Sequence, residues 1–335
     1  MLGTYLWLRV SVAALVFLPC LAVAESTVES CLQAALRDAT DETTVGELRQ
    51  SCQSSADHSD GEPTSRGTDF ETGSIRQRIE FEDRAEKTAF AFTPHFPNYI
   101  AYSAVDEPNQ APFAELVGVP DPVEDNEAVF QISIKAPVWR DMWGTELSTY
   151  FAYTAKSWWQ VANDDFSNPF RETNYQPELF VRSEKPRQIL GASLEGWSVG
   201  LAHESNGREE LLSRSWNRVI ARGGLQLTDD LSLFAQTWYR IPDDEEEDEN
   251  PNEYRFLGYG DMRLIWAPNR STWTAMVRPG TEETSFELTW SYPLSRAFRL
   301  YAAYFNGYGE SLIDYDAKIE RISIGIALND FLGRP

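Results

Sequence analysis

From about residue 88 to the C-terminus the chain is a succession of aromatic and β-branched segments of about ten residues, separated by turn-rich loops. The spacing predicts strands near 88–103, 128–138, 147–160, 174–183, 188–205, 215–228, 231–241, 253–267, 271–278, 284–293, 297–308 and 319–331. Beyond the N-terminal leader no apolar run is long enough for a membrane helix, so such a chain is either soluble or crosses a membrane as a closed barrel. Twelve segments in roughly 250 residues match an up-and-down transmembrane barrel, whose even strand number returns both ends to one side. The last segment alternates most clearly, with Ile322, Ile324, Ile326 and Leu328 on one face and Ser323, Gly325 and Ala327 on the other, ending near Phe331. Trp158, Trp159, Trp197, Trp266, Trp273, Trp290, Tyr292, Tyr301 and Tyr304 lie near strand ends and are expected to form interfacial girdles. A soluble β-sandwich with an aromatic core is the alternative.

The N-terminus fits an exported barrel. Residues 1–24 carry Arg9, an apolar stretch from Val10 to Leu18 and Ala22-Val23-Ala24, the pattern of a signal peptide cut after Ala24. Pro19 stands where a lipoprotein site needs a small residue before Cys20, so Cys20 is expected to leave with the signal. Cys31 and Cys52 then form an even pair in an oxidising compartment, expected as a structural disulfide. They lie in a polar periplasmic extension, residues 25–85, with helix-like stretches at 28–36 and 45–53, ahead of a barrel domain at 86–335. Net charge is −23, which argues against a nucleic-acid partner and against simple attraction to anionic lipid. The acidic run Asp243 to Glu249 reads as a solvated loop or as a place for a divalent cation.

One pair of neighbouring segments carries chemistry. Trp197, Val199, Leu201, His203 and Ser205 share one parity, as do Asn217, Val219, Ala221, Leu225 and Leu227 in the next segment, so a period-two strand puts His203, Ser205 and Asn217 on an apolar face. A serine hydroxyl becomes a nucleophile when an imidazole takes its proton, and the imidazole needs a third group to fix its tautomer. His203 and Ser205 at i and i+2 project from one side of a strand, and Asn217 on the antiparallel neighbour can lie beside them. An amide suits this position, because a carboxylate facing lipid carries a heavy desolvation cost. A polar triad on an apolar sheet face makes sense where that face meets lipid and lipid is the substrate. His58 in the polar extension and His95 in a loop-like stretch receive no catalytic role.

Five stretches make the sequence recognisable: Lys156-Ser157-Trp158-Trp159-Gln160, Pro169-Phe170-Arg171-Glu172-Thr173-Asn174-Tyr175, His203-x-Ser205-Asn206-Gly207-Arg208, Ser213-Arg214-Ser215-Trp216-Asn217-Arg218, and Gly307-Tyr308-Gly309-Glu310-Ser311-Leu312-Ile313-Asp314-Tyr315. In this order, from Phe92 to Phe331, the chain resembles outer-membrane phospholipase A, the calcium-dependent barrel enzymes of Gram-negative bacteria. The resemblance implies an all-β, antiparallel transmembrane barrel of about twelve strands in the outer membrane. It implies phospholipase A1 and A2 activity on phospholipids and lysophospholipids, with Ser205 as nucleophile, His203 as base, Asn217 orienting it, and the Gly207 amide as oxyanion donor. It further implies a calcium cofactor held by Ser167, the Arg208 carbonyl, Ser213 and Glu249, and a homodimer as the active form, with Ser167 supplied across the dimer. Two departures stand out: Ala155 replaces the family's Gln before Lys-Ser-Trp-Trp, and Glu249 replaces the Asp usual before Asn-Pro. Two further readings remain at this point, a transport or structural barrel and a catalytically impaired homologue that senses membrane damage.

Overall fold

A computed structural model describes residues 73–88, 91–118, 120–163, 170–189, 191–244 and 248–334. The signal, the Cys31/Cys52 pair, His58, Ser167 and the centre of the acidic run lie outside the described residues. Helix α1 (Ser74–Ala85) comes first, followed by the two-residue strand β1 (Thr93–Pro94). The remaining strands are β2 (Tyr99–Asp106), β3 (Asn126–Trp139), β4 (Leu147–Trp159), β5 (Phe170–Ser183), β6 (Arg187–Ile189), β7 (Ala192–Ser205), β8 (Ser215–Gln226), β9 (Leu231–Ile241), β10 (Gly260–Trp266), β11 (Thr272–Pro279), β12 (Thr284–Pro293), β13 (Arg299–Tyr308) and β14 (Lys318–Ala327). Twelve of them, β2 to β5 and β7 to β14, run antiparallel to their neighbours, and β14 pairs with β2 to close the barrel. The short β1 and β6 pair with β3 and β7. The first expected strand, 88–103, is mostly not a strand: β2 starts only at Tyr99, after a lumen-filling turn.

Alternation decides which way each side chain faces. On β14, Ile322, Ile324 and Ile326 are exposed while Arg321 and Ser323 are buried, so the apolar face looks outward and the polar face lines the lumen. This inversion rules out the soluble sandwich, whose apolar face would be covered. It also corrects two members of the expected girdle, since Trp158 and Tyr301 have the inward parity and are buried in the lumen, whereas Trp266, Trp273, Tyr292 and Tyr304 are exposed.

The lumen is packed with paired charges. Glu127 on β3 takes Arg171 at 2.9 Å and Arg321 at 2.7 Å, and Arg171 reaches Asp314 at 2.7 Å. Above them Phe113 of helix α2 (Ala111–Val117), Val123, Leu212 and Ile313 form an apolar cluster drawn from three different loops. Among the described residues the lumen is bridged and capped, with no wide bore of the kind a transport barrel uses.

At the opposite end sits α1. Its sequence is charged on most faces, which suits a helix buried in a polar lumen and hides it from a search for an apolar stripe. Although the sequence reading placed residues 74–85 in the polar extension, Lys135 and Arg182 hold Glu82 at 2.6 and 2.8 Å, and Arg78 donates to the Phe331 carbonyl at 2.6 Å. Burial opposes ionisation of Glu82, but Lys135, Arg78 and Arg182 together hold its carboxyl well below the usual range.

Candidate active site

Loops 107–125, 160–169, 206–214 and 242–259 are longer than the turns at the other barrel end, which identifies their side as the outer one. The candidate triad lies at this rim. His203 pairs in register with Asn217, and Ser205, the last residue of β7, sits between Ser215 on β8 and Tyr175 on β5. His203 is exposed on the outer wall together with Val199 and Leu201, while Ala202 between them is buried. The parity read from sequence is therefore the parity of the fold at this strand.

His203 Nδ1 lies 2.9 Å from Asn217 Oδ1. An amide oxygen can only accept, so this contact puts the proton on Nδ1 and leaves Nε2 as the free base. Ser205 Oγ is on the same face and makes no hydrogen bond to a described residue. Gly207 follows at φ +62°, a left-handed conformation costly for any other residue, and a Cβ there would stand 3.4 Å from the Tyr175 ring. Ala155 pairs with Tyr175 and so lies on the outer-face row that runs to Ser205.

Behind this face, Glu204 points inward and accepts from Trp216 Nε1 at 2.9 Å and Arg218 at 2.5 Å. The loop after Ser205 is organised by Asn206, a buried residue that sequence reasoning quoted in a motif but gave no role. Its Oδ1 accepts the amides of Arg208 and Arg214, and its Nδ2 donates to the Leu212 carbonyl at 2.7 Å. The Arg208 guanidinium donates to the carbonyls of Phe170 and Arg171, which fixes this residue against β5.

Among the described residues no three His, Cys, Asp or Glu side chains converge as metal ligands. The calcium donors expected from the sequence are of another kind, chiefly hydroxyl and carbonyl oxygens. Among the described residues, two buried oxygens of the loop after the acidic run, Glu249 Oε2 and Asn250 Oδ1, have no hydrogen-bond donor. Asn250 Nδ2 ties this loop to the Ser215 carbonyl at 2.5 Å, and Arg240 ties it from the other side through Asp248, Glu253 and the Asn250 carbonyl. Orphaned hard oxygens on a loop tied to Ser215, two residues along from Ser213, suit a hard cation. Ser167 lies outside the described residues, so that member of the expected set has no place in this geometry.

Comparison with known proteins places the barrel in a family. The family model described as Phospholipase A1 matches residues 75–328. Phospholipase A1 of Escherichia coli K12 is 34% identical over 247 residues, covering 72% of this chain and 82% of the relative. An active-site asparagine-to-alanine mutant of the E. coli outer membrane phospholipase A superposes with a TM-score of 0.70 at 30% identity, covering 77% of this chain and 97% of that one. The Salmonella typhi outer membrane phospholipase, solved as a dimer with bound calcium, gives 0.69 at 32% identity, covering 73% and 94%.

Proposed function

Because the chain belongs to the phospholipase A1 family and is an outer-membrane phospholipase barrel, we propose that it hydrolyses acyl esters of phospholipids and lysophospholipids with a Ser205, His203 and Asn217 triad facing the lipid. The observation that carries this reading is the His203–Asn217 contact on the exposed wall beside Ser205. His203 Nε2 takes the Ser205 proton as Oγ attacks the ester carbonyl, and Asn217 keeps the imidazolium in place. The negative charge that develops on the carbonyl oxygen is received by the Gly207 amide. His203 then returns the proton to the departing glycerol oxygen, and water, deprotonated by the same imidazole, releases the fatty acid from Ser205.

Calcium fits as the cofactor, with Ser167, the Arg208 carbonyl, Ser213 and Glu249 as the residues that would hold it, and its chemistry there is added positive charge near the developing oxyanion. The orphaned Glu249 oxygen and the calcium-bound dimer of the Salmonella relative support this assignment and a homodimer as the active form.

The test is fatty-acid release by the purified protein in phospholipid-detergent micelles, with calcium and with EDTA. Ser205→Ala and His203→Ala should each lose about 10⁴-fold or more, as triad knockouts do, while remaining folded barrels. Activity within about tenfold of the parent in either variant, or full turnover in EDTA, would contradict the respective assignment.

A further inference from the structure

Buried Glu172 has no role in the chemistry above. It is 1% exposed, and among the described residues no cation pairs with it, unlike Glu82, Glu127 and Glu178, each of which holds an Arg or Lys. Burying a carboxylate without a cation is strongly disfavoured unless hydrogen bonds compensate, so its retention calls for a reason.

Its partners supply one. The register of β4 and β5 shifts between Trp158 and Trp159, so Trp158 faces Glu172 and Trp159 faces Phe170. Arg171 is thereby the extra residue of a bulge, and both Arg171 and Glu172 turn into the lumen. Glu172 Oε1 accepts from Asn174 Nδ2 at 2.6 Å, and Oε2 accepts from Asn206 Nδ2 at 3.3 Å. Asn174 uses its oxygen to hold the Leu312 amide at 3.0 Å, while the neighbouring Asp314 binds Arg171 and Ser311. Three of the five recognisable stretches thus meet behind the active-site loop.

An asparagine amide can sit either way round, and its network decides which. A carboxylate only accepts. Glu172 and the Leu212 carbonyl, which Nδ2 reaches at 2.7 Å, together demand the NH₂ group of Asn206, and this turns Oδ1 toward the loop, where it takes the Arg208 and Arg214 amides at 3.2 and 3.0 Å. Those two bonds close the loop that begins at Gly207. We propose that Glu172 is a positioning residue: by locking the orientation of the Asn206 amide it sets the peptide geometry of Gly207 and Arg208, and so the oxyanion donor, from inside the barrel. This deepens the hydrolase reading and rests on it for the catalytic consequence.

Glu172→Gln keeps size and shape but presents an NH₂ group to one of two amide donors. Flipping Asn206 to suit it would aim NH₂ at the Arg208 and Arg214 amides and the amide oxygen at the Leu212 carbonyl. The expected result is a kcat about 10- to 100-fold lower, somewhat less than losing an oxyanion donor outright, with KM changed by less than about threefold. Asn206→Asp should be worse, because it sets two carboxylates together. Combining the two substitutions restores an NH₂-to-carboxylate pair with polarity reversed, and should recover at least about tenfold over Asn206→Asp alone, a non-additivity that a merely structural role would not give.

Deuterium exchange reads the same device without turnover: the Arg208 and Arg214 amides should exchange faster in Glu172→Gln while the strands do not change. Should Glu172→Gln fail to fold, Asn206→Ala tests the same amides. Unchanged kcat and unchanged exchange, or a double variant equal to the product of the singles, would overturn the proposal. A parent protein without hydrolase activity would instead sink the functional reading, and the exchange result would still decide whether Glu172 orders the loop.

Discussion

Asn217 offers the most quantitative test of the site. It is half-buried on the outer wall, and its one contribution to His203 is a neutral hydrogen bond of 2.9 Å to an exposed imidazole. Such a bond is worth about 1 kcal/mol net, and loss of the fixed tautomer adds a similar amount, so Asn217→Ala should cost about 1 to 2 kcal/mol of transition-state stabilisation. At 1.36 kcal/mol per factor of ten this is roughly a 5- to 30-fold fall in kcat, far short of the loss expected for Ser205→Ala. Asn217→Asp places an acceptor at the same point and makes the bond charge-assisted, about twice as strong, at a desolvation cost limited by the partial exposure of the site. Its kcat should lie within about fivefold of the parent, and the acid limb of its pH–rate profile should move to higher pH, because a carboxylate stabilises the protonated base. The assay is initial-rate fatty-acid release at saturating phospholipid across pH. Asn217→Ala within twofold of the parent, or as inactive as Ser205→Ala, would refute the assignment of an orienting role.

Two further outcomes follow from the structure. Glu249→Gln should raise the calcium concentration for half-maximal activity by about tenfold, from about 1 to 2 kcal/mol of attraction between a unit charge and a divalent ion a few ångströms away in a water-like medium, whereas Asp244→Asn, exposed in the same acidic run, should change it little; equal shifts would reduce Glu249 to part of a diffuse field. Acidification should loosen the inner plug: burial, with Arg222 and Lys135 nearby, pushes His95 down to about 4 from its ordinary 6.5 despite the Glu178 carboxylate 3.3 Å away. Its folded value lies below the unfolded one, so the stability it contributes is present above pH 6.5 and is lost as pH falls through about 4, in the same direction as that of Glu82. Protection of the α1 and 95–98 amides from exchange should fall across that window; protection independent of pH from 7 to 4 would count against it.

The strand pattern was legible because a lipid-facing barrel has a strict period of two, and the candidate triad stood out because His203, Ser205 and Asn217 violate that period in chemistry while obeying it in position. What escaped detection obeys other rules. Helix α1 packs only the short apolar pair Ile75 and Ile79 among its charges, since the space it fills sets the Ile265, Phe234 and Leu332 cluster beside Lys135 and Arg182, and strand β2 starts late because Phe96, Pro97 and Asn98 belong to the plug. Trp158 and Tyr301 look like girdle residues by type, and only the register shows them facing inward. Asn206 and Glu172 were in plain view within recognisable motifs, but their role depends on a β-bulge and on contacts between residues 34 positions apart, neither of which leaves a local period.

The placement of Ser205 at the very end of β7 ties the proposed chemistry to the membrane's own layering. Ester carbonyls of a phospholipid lie where hydrocarbon gives way to headgroup and water, and hydrolysis needs access to both phases at one point. Below Ser205 on the same face, Leu201 and Val199 descend by about 3.3 Å per residue, so Leu201 lies about 13 Å down the strand and presents an apolar track to an acyl chain. Above it begins the polar 206–214 loop. A nucleophile two or more pairs deeper would meet only hydrocarbon, with no water for deacylation, and one carried on the loop would lose the rigid strand that sets its distance to His203 and Asn217. The strand end satisfies both demands, which is also why the bonds that hold the following loop come from inside the barrel, where Glu172 and Asn206 can be buried without occupying the face that the lipid must reach.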